Sequence, residues 1–291
     1  MKRLYVFVML ASMLLPAQSK VEANVIYGMY SGMALLMDVH RPEKPNGYGV
    51  IFISGSAWTA PLAYSAAPLK SNDQSLMYAK PLVAAGYTVF TLNHRAAPRF
   101  RYPAPVEDAQ RAVRFIRHNA AKFGIRPDRI GAAGGSSGGH LVSMLGTLDG
   151  QGKPDDPDPV ERESAKVQCV AARAAPTDLL KTLNAPLLGI YFSDATKKDS
   201  QEYKTALEAS PITHVSEGDP PFLLTHGDKD ELIAYSQSEA FETALRAAGV
   251  IVKLVKVPGG GHGPDFPGAV PPVPDYMGET VAWFDRYLKL P

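Results

Sequence analysis

The sequence predicts an α/β protein in which helices cover both faces of a central, mostly parallel sheet. From Asn24 onward, apolar runs rich in β-branched residues alternate with amphipathic helical patterns, which is typical of strands and helices that follow one another in turn. Glycine and proline contribute 25 residues each to the 291, which indicates many tight turns and loops. No stretch has the composition of an interdomain linker, so residues 24–291 are predicted to form one domain.

The predicted elements follow from the period of the apolar residues. The clearest helix begins at Val106, where Val106, Ala109 and Val113 recur at spacings of three and four residues. The predicted helices cover residues 75–85, 106–122, 138–148, 235–248 and 276–288. The predicted strands lie near residues 35–39, 50–53, 87–92, 129–133, 167–172, 222–225 and 251–257.

Composition and charge exclude several classes of protein. With 45% hydrophobic and 20% charged residues, the chain can bury a large core and is not disordered overall. Thirty basic and 29 acidic residues give a formal net charge of +1, so no nucleic-acid partner is indicated. The single cysteine, Cys169, lies in an apolar run, so we expect a buried thiol in a strand and no internal disulfide.

The amino terminus has the pattern of a secretory signal peptide. Lys2 and Arg3 precede an apolar run of about a dozen residues, which is too short to span the hydrocarbon core of a bilayer. Small residues allow cleavage after Ser19 or after Ala23. We therefore expect residues 1–19 to be removed and the mature protein to be secreted or periplasmic, without a stable membrane span. The alternative is an uncleaved anchor or a buried amino-terminal strand.

The segment 149–159 interrupts the alternation of strands and helices. It carries four aspartates and three prolines, so a plain solvated loop is predicted. A lid, or a calcium site built from Asp155, Asp156 and Asp158, is the alternative, although the segment lacks the glycine-centred spacing of the usual calcium loop.

A serine motif joins a predicted strand to a predicted helix. Residues 134–140 read Gly-Gly-Ser-Ser-Gly-Gly-His, and residues 135–139 fit G-x-S-x-G with Ser137 at the centre. In this motif the serine occupies a strained turn between strand and helix, where flanking glycines avoid clashes. Ser137 is therefore the predicted nucleophile, and a turn of small residues without chemistry is the alternative.

A serine nucleophile needs an imidazole as base and a carboxylate to orient it, and both follow later strands. Residues 226–230 read His-Gly-Asp-Lys-Asp after one strand, and the last strand leads into a glycine-rich loop that holds His262. Because the carboxyl ends of parallel strands meet at one edge, His262 can reach the serine and is the predicted base. Asp228 and Asp230 both remain candidates for the acid. The histidines show no metal-ligand spacing, so no metal and no cofactor are expected.

In several segments the chain resembles esterases of the α/β-hydrolase superfamily, in the branch shared by hormone-sensitive-lipase-like and feruloyl- or acetylxylan-esterase-like enzymes. The segments are residues 102–108, 123–130, 134–141, 175–179 and 226–230. The resemblance implies a sheet of about eight strands, and in the family pattern H-G-x-x-D the last residue, Asp230, is the acid. It also implies an oxyanion hole, whose loop is usually written H-G-G-G-W and here reads Ser54-Gly55-Ser56-Ala57-Trp58. Backbone N–H groups of Ser56, Ala57 and Gly138 are the expected donors.

The predicted function is a secreted serine carboxylic-ester hydrolase that acts on short-chain acyl esters, with acetyl or feruloyl groups of polysaccharides as candidates. Its partner is then a small-molecule or polysaccharide-linked ester, and activity should fall where histidine side chains become protonated, between about pH 8 and 5. Two alternatives remain open: an amide-cleaving, arylformamidase-like hydrolase and a catalytically silent binding protein. The sequence leaves the natural substrate and the oligomeric state open.

Overall fold

The computed structural model describes residues 20–182 and 198–289, and an eight-stranded sheet lies at its centre. Its strand order is β1-β2-β4-β3-β5-β6-β7-β8. The strands are β1 (Lys20–Tyr30), β2 (Met33–Arg41), β3 (Gly49–Ile53), β4 (Thr88–Leu92), β5 (Ile130–Gly135), β6 (Cys169–Arg173), β7 (Phe222–Gly227) and β8 (Val252–Val257). Strand β2 is antiparallel to its neighbours β1 and β4. The other six strands, in the order β4, β3, β5, β6, β7 and β8, are parallel to one another.

Helices cover both faces of this sheet. They are α1 (Asp73–Ala84), α2 (Ala104–His118), α3 (Ala120–Phe123), α4 (Ser137–Thr147), α5 (Gln201–Glu208), α6 (Ser236–Ala247) and α7 (Tyr276–Leu288). Short 3₁₀ helices span Leu69–Ser71 and Pro211–His214.

The two faces of strand β3 show how the core is divided. Ile51 and Ile53 pack in a cluster with apolar residues of α2, α4 and α6. Val50 and Phe52 point the other way, into a cluster with residues of α1 and α7. Every residue of β3 is buried because helices cover both faces of the sheet at this strand. A parallel strand in this position needs a continuous apolar sequence, which β3 has.

The predicted fold class is confirmed, and each predicted strand and helix overlaps an observed element. Three differences concern the edges of the pattern. The edge strand β1, which has mixed burial and no clear alternation, was not among the predicted strands. The predicted helix 106–122 is divided at Asn119, and α5 was not predicted either. Cys169 is buried in β6 as predicted, and burial raises the pKa of its thiol. The predicted signal peptide, residues 1–19, lies outside the described residues.

The loop 149–159 is tied to the body of the protein through charged side chains. Arg111 of α2 donates to the Asp158 carboxylate at 2.6 Å and to Glu161 at 2.9 Å. In the described part of the chain, no group of three histidine, cysteine, aspartate or glutamate side chains could hold a metal ion. No helix among the described residues is both long and apolar enough to cross a bilayer.

The parallel strands place four loops at one edge of the sheet. Strand β3 ends at Ile53, β5 at Gly135, β7 at Gly227 and β8 at Val257. The loop after each of these strands carries polar residues of the predicted site. The loops from the carboxyl ends of neighbouring parallel strands can therefore meet.

Candidate active site

The turn between β5 and α4 is strained at Ser136. Its backbone has φ 54° and ψ −125°, a conformation that residues other than glycine rarely adopt and that costs about 1–3 kcal/mol. The turn also brings strand and helix very close, since a side chain at Gly134 would overlap the backbone of Gly138. A serine held in such a turn is the nucleophile elbow that the G-x-S-x-G pattern predicts.

The structure corrects the predicted register of this motif by one residue. The sequence predicts Ser137 at the strained turn, but strand β5 continues to Gly135, so Ser136 lies in the turn and Ser137 begins α4. Residues 134–138 also fit G-x-S-x-G, with Ser136 at the centre. The clue that separates the two registers is the length of β5, and the predicted strand ended two residues too early.

His262 and Asp230 meet beside Ser136. The His262 Nδ1 atom lies 2.7 Å from the Asp230 Oδ2 atom, and its Nε2 atom lies 3.0 Å from the Ser136 hydroxyl oxygen. A carboxylate only accepts hydrogen bonds, so Nδ1 carries the proton and Nε2 presents its lone pair to Ser136. The structure brings the predicted histidine and aspartate together and pairs them with Ser136 instead of Ser137.

The environment of Asp230 keeps it a carboxylate. Burial alone would raise its pKa, but hydrogen bonds from His226, His262 and the backbone N–H of Ile233 hold the pKa well below its usual value. Its Oδ1 atom accepts the N–H groups of Leu232 and Ile233 at 3.0 and 2.8 Å. The acid therefore stays ionised throughout the range in which histidine titrates.

His226 is a second histidine on the same carboxylate. Its side chain is fully buried, and Nε2 lies 3.2 Å from Asp230 Oδ2 and 2.9 Å from the Ile233 carbonyl oxygen. Both groups are acceptors, so Nε2 carries the proton, and Nδ1 accepts the Ser238 hydroxyl at 2.7 Å. The contact of His226 with the carboxylate of Asp230 is the part that the sequence did not indicate.

Asp228, the other candidate acid, is bound to groups other than His262. Its carboxylate accepts the Gly259 N–H at 2.7 Å and pairs with Lys256 at 3.1 Å. These hydrogen bonds lower the pKa of Asp228 and fix the start of the loop that carries His262. The geometry thus separates the two aspartates that the residues alone left open.

The loop 54–58 lies against the start of α4. The Ser56 N–H donates to the Ser137 hydroxyl oxygen at 2.9 Å, which places this backbone N–H beside the residue that follows Ser136. Ala57 and Trp58 both have positive φ, 52° and 54°, so the loop needs the left-handed conformation at positions where this chain has no glycine.

Buried side chains hold this strained loop. Trp58 is 1% exposed and its indole N–H donates to His140 Nδ1 at 3.1 Å, while His140 Nε2 lies 2.6 Å from the Ala209 carbonyl oxygen. Burial lowers the pKa of His140 to about 4, so it is neutral at ordinary pH and can accept from Trp58. Asn72 donates to the Ser54 hydroxyl at 2.6 Å, and Gln74 accepts the Gly55 N–H.

The expected oxyanion donors fall into two groups. Ser56 and Ala57 lie in the loop beside the serine turn, as expected. Gly138 does not follow the serine at the turn, because it lies two residues after Ser136 and packs so closely on Ile53 that a side chain there would overlap the Ile53 carbonyl. The backbone N–H that directly follows the turn serine belongs to Ser137.

The order serine, aspartate, histidine after the parallel strands β5, β7 and β8 is that of the α/β-hydrolases, and the sheet and its flanking helices agree, so this chain is an α/β-hydrolase. It belongs to the BD-FAE family, whose model matches residues 37–245. The resemblance to α/β-hydrolase esterases is thereby confirmed.

Relatives of the chain are named as esterases. It is 31% identical over 264 residues to Esterase LipQ of Mycobacterium tuberculosis, a match that covers 85% of this chain and 58% of LipQ. It is 29% identical over 251 residues to Esterase LipC of the same organism, covering 84% of this chain and 60% of LipC. The chain thus spans less than two thirds of the length of these curated relatives.

Solved structures show the same fold. A truncated form of a carbohydrate esterase from gut microbiota has a TM-score of 0.75 and 27% sequence identity, and the match covers 94% of this chain and 97% of the other. An acetyl ester-xyloside bifunctional hydrolase from Caldicellulosiruptor lactoaceticus has a TM-score of 0.76 at 24% identity, covers 94% and 98% of the two chains, and supports the fold alone.

The two aspartates give a matched pair of variants. We expect Asp230→Asn to lower kcat by roughly 10³–10⁴-fold, because the neutral amide no longer holds the Nδ1–H form of His262. Asp228→Asn, an equally conservative change two residues away, should lower kcat by less than about tenfold, since the hydrogen bond and ion pair of the Asp228 carboxylate in the described part of the chain are with Gly259 and Lys256 and not with His262. Steady-state kinetics with p-nitrophenyl acetate, with melting curves to show that both variants fold, checks this. Equal losses in the two variants would contradict the assignment of the acid.

Proposed function

We propose that this chain is a carboxylic ester hydrolase that works through an acyl-enzyme on Ser136. The observation that carries the proposal is the hydrogen-bonded series Ser136, His262 and Asp230, with distances of 3.0 and 2.7 Å. The names of the curated relatives, which are esterases, support the same activity. Ser136 takes the place of Ser137 in this proposal.

Acylation begins with a proton transfer. His262 Nε2 accepts the hydroxyl proton as the Ser136 oxygen attacks the acyl carbonyl, and the imidazolium that forms is stabilised by the Asp230 carboxylate. The same nitrogen then gives the proton to the leaving alcohol. Asp230 does not take up a proton itself, because its hydrogen bonds hold its pKa low.

The negative charge of the tetrahedral intermediate needs donors at the start of α4. We assign this role to the backbone N–H groups of Ser137 and, in the facing loop, of Ser56 and Ala57. The amino terminus of α4 adds the positive end of the helix dipole at the same place. In the resting state Ser56 N–H is held by the Ser137 hydroxyl, so this hydrogen bond must weaken as the oxyanion forms.

Deacylation repeats these steps with water. His262 takes a proton from the attacking water, and the second tetrahedral intermediate collapses to release the acid and regenerate the Ser136 hydroxyl. No metal or cofactor is assigned a role in either half of the reaction.

The substrates we propose are short-chain acyl esters, above all acetyl or feruloyl groups on carbohydrates. Membership of the BD-FAE family and the fold shared with a carbohydrate esterase at 27% identity support this class.

We also propose that the chain is exported. The support is the order of basic, apolar and small residues at the amino terminus. Cleavage after Ser19 keeps every described residue of strand β1, whereas cleavage after Ala23 would remove Lys20, Val21 and Glu22, which pair with Arg41, His40 and Val39 of β2. The first cleavage point is therefore the one we propose.

The neighbouring serines test the nucleophile. Ser136→Ala should lower kcat by at least about 10⁴-fold, because no other side chain can form the acyl-enzyme. Ser137→Ala should keep kcat within about tenfold of the wild type, since it loses only the hydrogen bond from Ser56 N–H. Hydrolysis of p-nitrophenyl acetate measures both. A fluorophosphonate adduct should map by mass spectrometry to Ser136, and an adduct on Ser137 would restore the register predicted from the sequence.

The acyl group can be tested with a graded series. We expect kcat/KM for p-nitrophenyl esters to be highest at two to four acyl carbons and at least about tenfold lower at twelve. Acetylated xylo-oligosaccharides and methyl ferulate, assayed beside the series, separate acetyl from feruloyl specificity. A maximum at long acyl chains, or no release of either natural group, would refute the proposed substrate class, while the serine variants test the mechanism independently.

Export is tested by the mass of the mature chain. When the full sequence is expressed in a Gram-negative host, protein from the periplasm should begin at Lys20. Replacing Lys2 and Arg3 with glutamate should reduce the exported fraction, because the basic residues precede the apolar run in a signal peptide. Full-length chain that remains in the cytosol in both cases would rule out the proposed export.

A further inference from the structure

Arg173 ends strand β6 and is bonded through its backbone to the proposed nucleophile. It is paired in register with Gly135, and its carbonyl oxygen accepts the Ser136 N–H at 2.8 Å. The main chain of Arg173 thus fixes the residue that carries the attacking hydroxyl.

The side chain of Arg173 extends from there to the loop of the base. It is 3% exposed, and its Nη1 atom donates to the carbonyl oxygen of Gly263, the residue after His262. The guanidinium lies 5.6 Å from the centre of the Phe266 ring, in the same loop. One residue therefore contacts both the serine turn and the histidine loop.

The surroundings are shaped to leave room for this guanidinium. A side chain at Gly135 would overlap its Nη2 atom, so the glycine before Ser136 makes space for Arg173. The buried Tyr78 phenol also lies close to Arg173. Burial raises the pKa of this phenol, while the charge of Arg173 and a side-chain hydrogen bond with it act against that rise. Tyr78 stacks on Phe52 with ring centres 4.8 Å apart, and this contact holds the Tyr78 ring in place beside Arg173.

The burial of Arg173 at this position is unfavourable for the stability of the fold. Within residues 20–182 and 198–289, no carboxylate lies within ion-pair distance of it, and its Nε atom is buried without a hydrogen-bond partner. A buried cation without a carboxylate is unfavourable for folding. Residues that break a stability rule in this way are concentrated at functional sites.

The histidine loop needs such a support. Residues 259–261 and 263 are glycines, so the backbone on both sides of His262 has few intrinsic restraints. Asp230 holds the imidazole ring. Among the described residues, the Gly263 carbonyl accepts one further hydrogen bond besides that from Arg173, a long one from the Phe266 N–H at 3.3 Å.

We propose that Arg173 is a positioning residue that sets the distance between Ser136 and His262. This inference rests on the proposed function of those two residues. Arg173 touches neither the reacting atoms nor Asp230 in this arrangement and acts through the serine turn and the histidine loop. Its removal should therefore lower the rate of the chemical step more than the binding of substrate.

The test compares Arg173→Met and Arg173→Lys with the wild type on p-nitrophenyl acetate. Arg173→Met should lower kcat by about 10–100-fold, because small misplacements of catalytic groups cost this much, and should change KM by less than about threefold. Arg173→Lys should recover part of the loss, since lysine keeps the charge and one donor. Crystal structures of both variants should give the distance between the Ser136 hydroxyl oxygen and His262 Nε2. We expect more than 3.5 Å, the limit for a hydrogen bond, in the methionine variant, and a value closer to that of the wild type in the lysine variant.

Arg114→Met is the matched control. Arg114 is another buried arginine that donates to loop carbonyls, those of Gln151 and Glu163, and these belong to a loop outside the site. It differs from Arg173 in lying 3.6 Å from a carboxylate oxygen of Glu161. It should lose stability in a melting curve as Arg173→Met does, but keep its kcat. If Arg173→Met does not fold, the lysine variant decides, because its kcat must still fall below that of the wild type.

Each outcome has one interpretation. Folded Arg173 variants with wild-type kcat and an unchanged serine to histidine distance would overturn the proposal. A fall in kcat equal to that of Arg114→Met would assign Arg173 to stability alone and would overturn it as well. If Ser136→Ala, assayed beside them, were as active as the wild type, the proposed function would fail first and the inference with it.

Discussion

The strand-to-helix reversal at Ser136 is the constraint on which the rest of the site depends. A residue with φ 54° can be held there only if strand β5 and helix α4 approach closely, and glycines at 134 and 138 make that approach possible. The reversal points a hydroxyl out of the sheet edge and opens the helix amino terminus beside it. Everything else in the site is arranged around these two consequences, with the base on one side and the oxyanion loop on the other.

The charge of the site is controlled by a single buried carboxylate. Asp230 accepts two backbone N–H groups and two imidazoles, so it stays ionised and each imidazole presents one defined tautomer. Both ring nitrogens of His226 are occupied by hydrogen bonds to Ser238 and Ile233, so this histidine only stabilises the carboxylate. The second ring nitrogen of His262 contacts Ser136. Two histidines in contact with one aspartate thus have different roles because only one of them faces the serine turn.

Much of this architecture could be predicted from the sequence because it follows from local patterns. Continuous apolar runs identify buried parallel strands, and polar residues after β7 and β8 place His262 and Asp230 at the sheet edge. The serine could not be assigned in the same way. Six consecutive residues, all glycine or serine, satisfy the motif in two registers, and only the extent of β5, which depends on its pairing with β3 and β6, selects Ser136. Arg173 was missed because its role depends on contacts between residues 90 positions apart.

The loop 54–58 shows how the fold tolerates a sequence that lacks the usual glycines. Ala57 and Trp58 adopt the left-handed conformation at a cost of about 1–2 kcal/mol each, which a glycine-rich loop would avoid. The loop is retained because Trp58 is anchored on neutral His140, Ser54 on Asn72, and the Gly55 and Ser56 N–H groups on Gln74 and Ser137. In a glycine-rich loop the backbone is free to take this shape, whereas here side-chain contacts impose it. These contacts hold the loop beside the start of α4 before substrate arrives, and the rearrangement that the oxyanion requires is the release of the Ser56 N–H from the Ser137 hydroxyl.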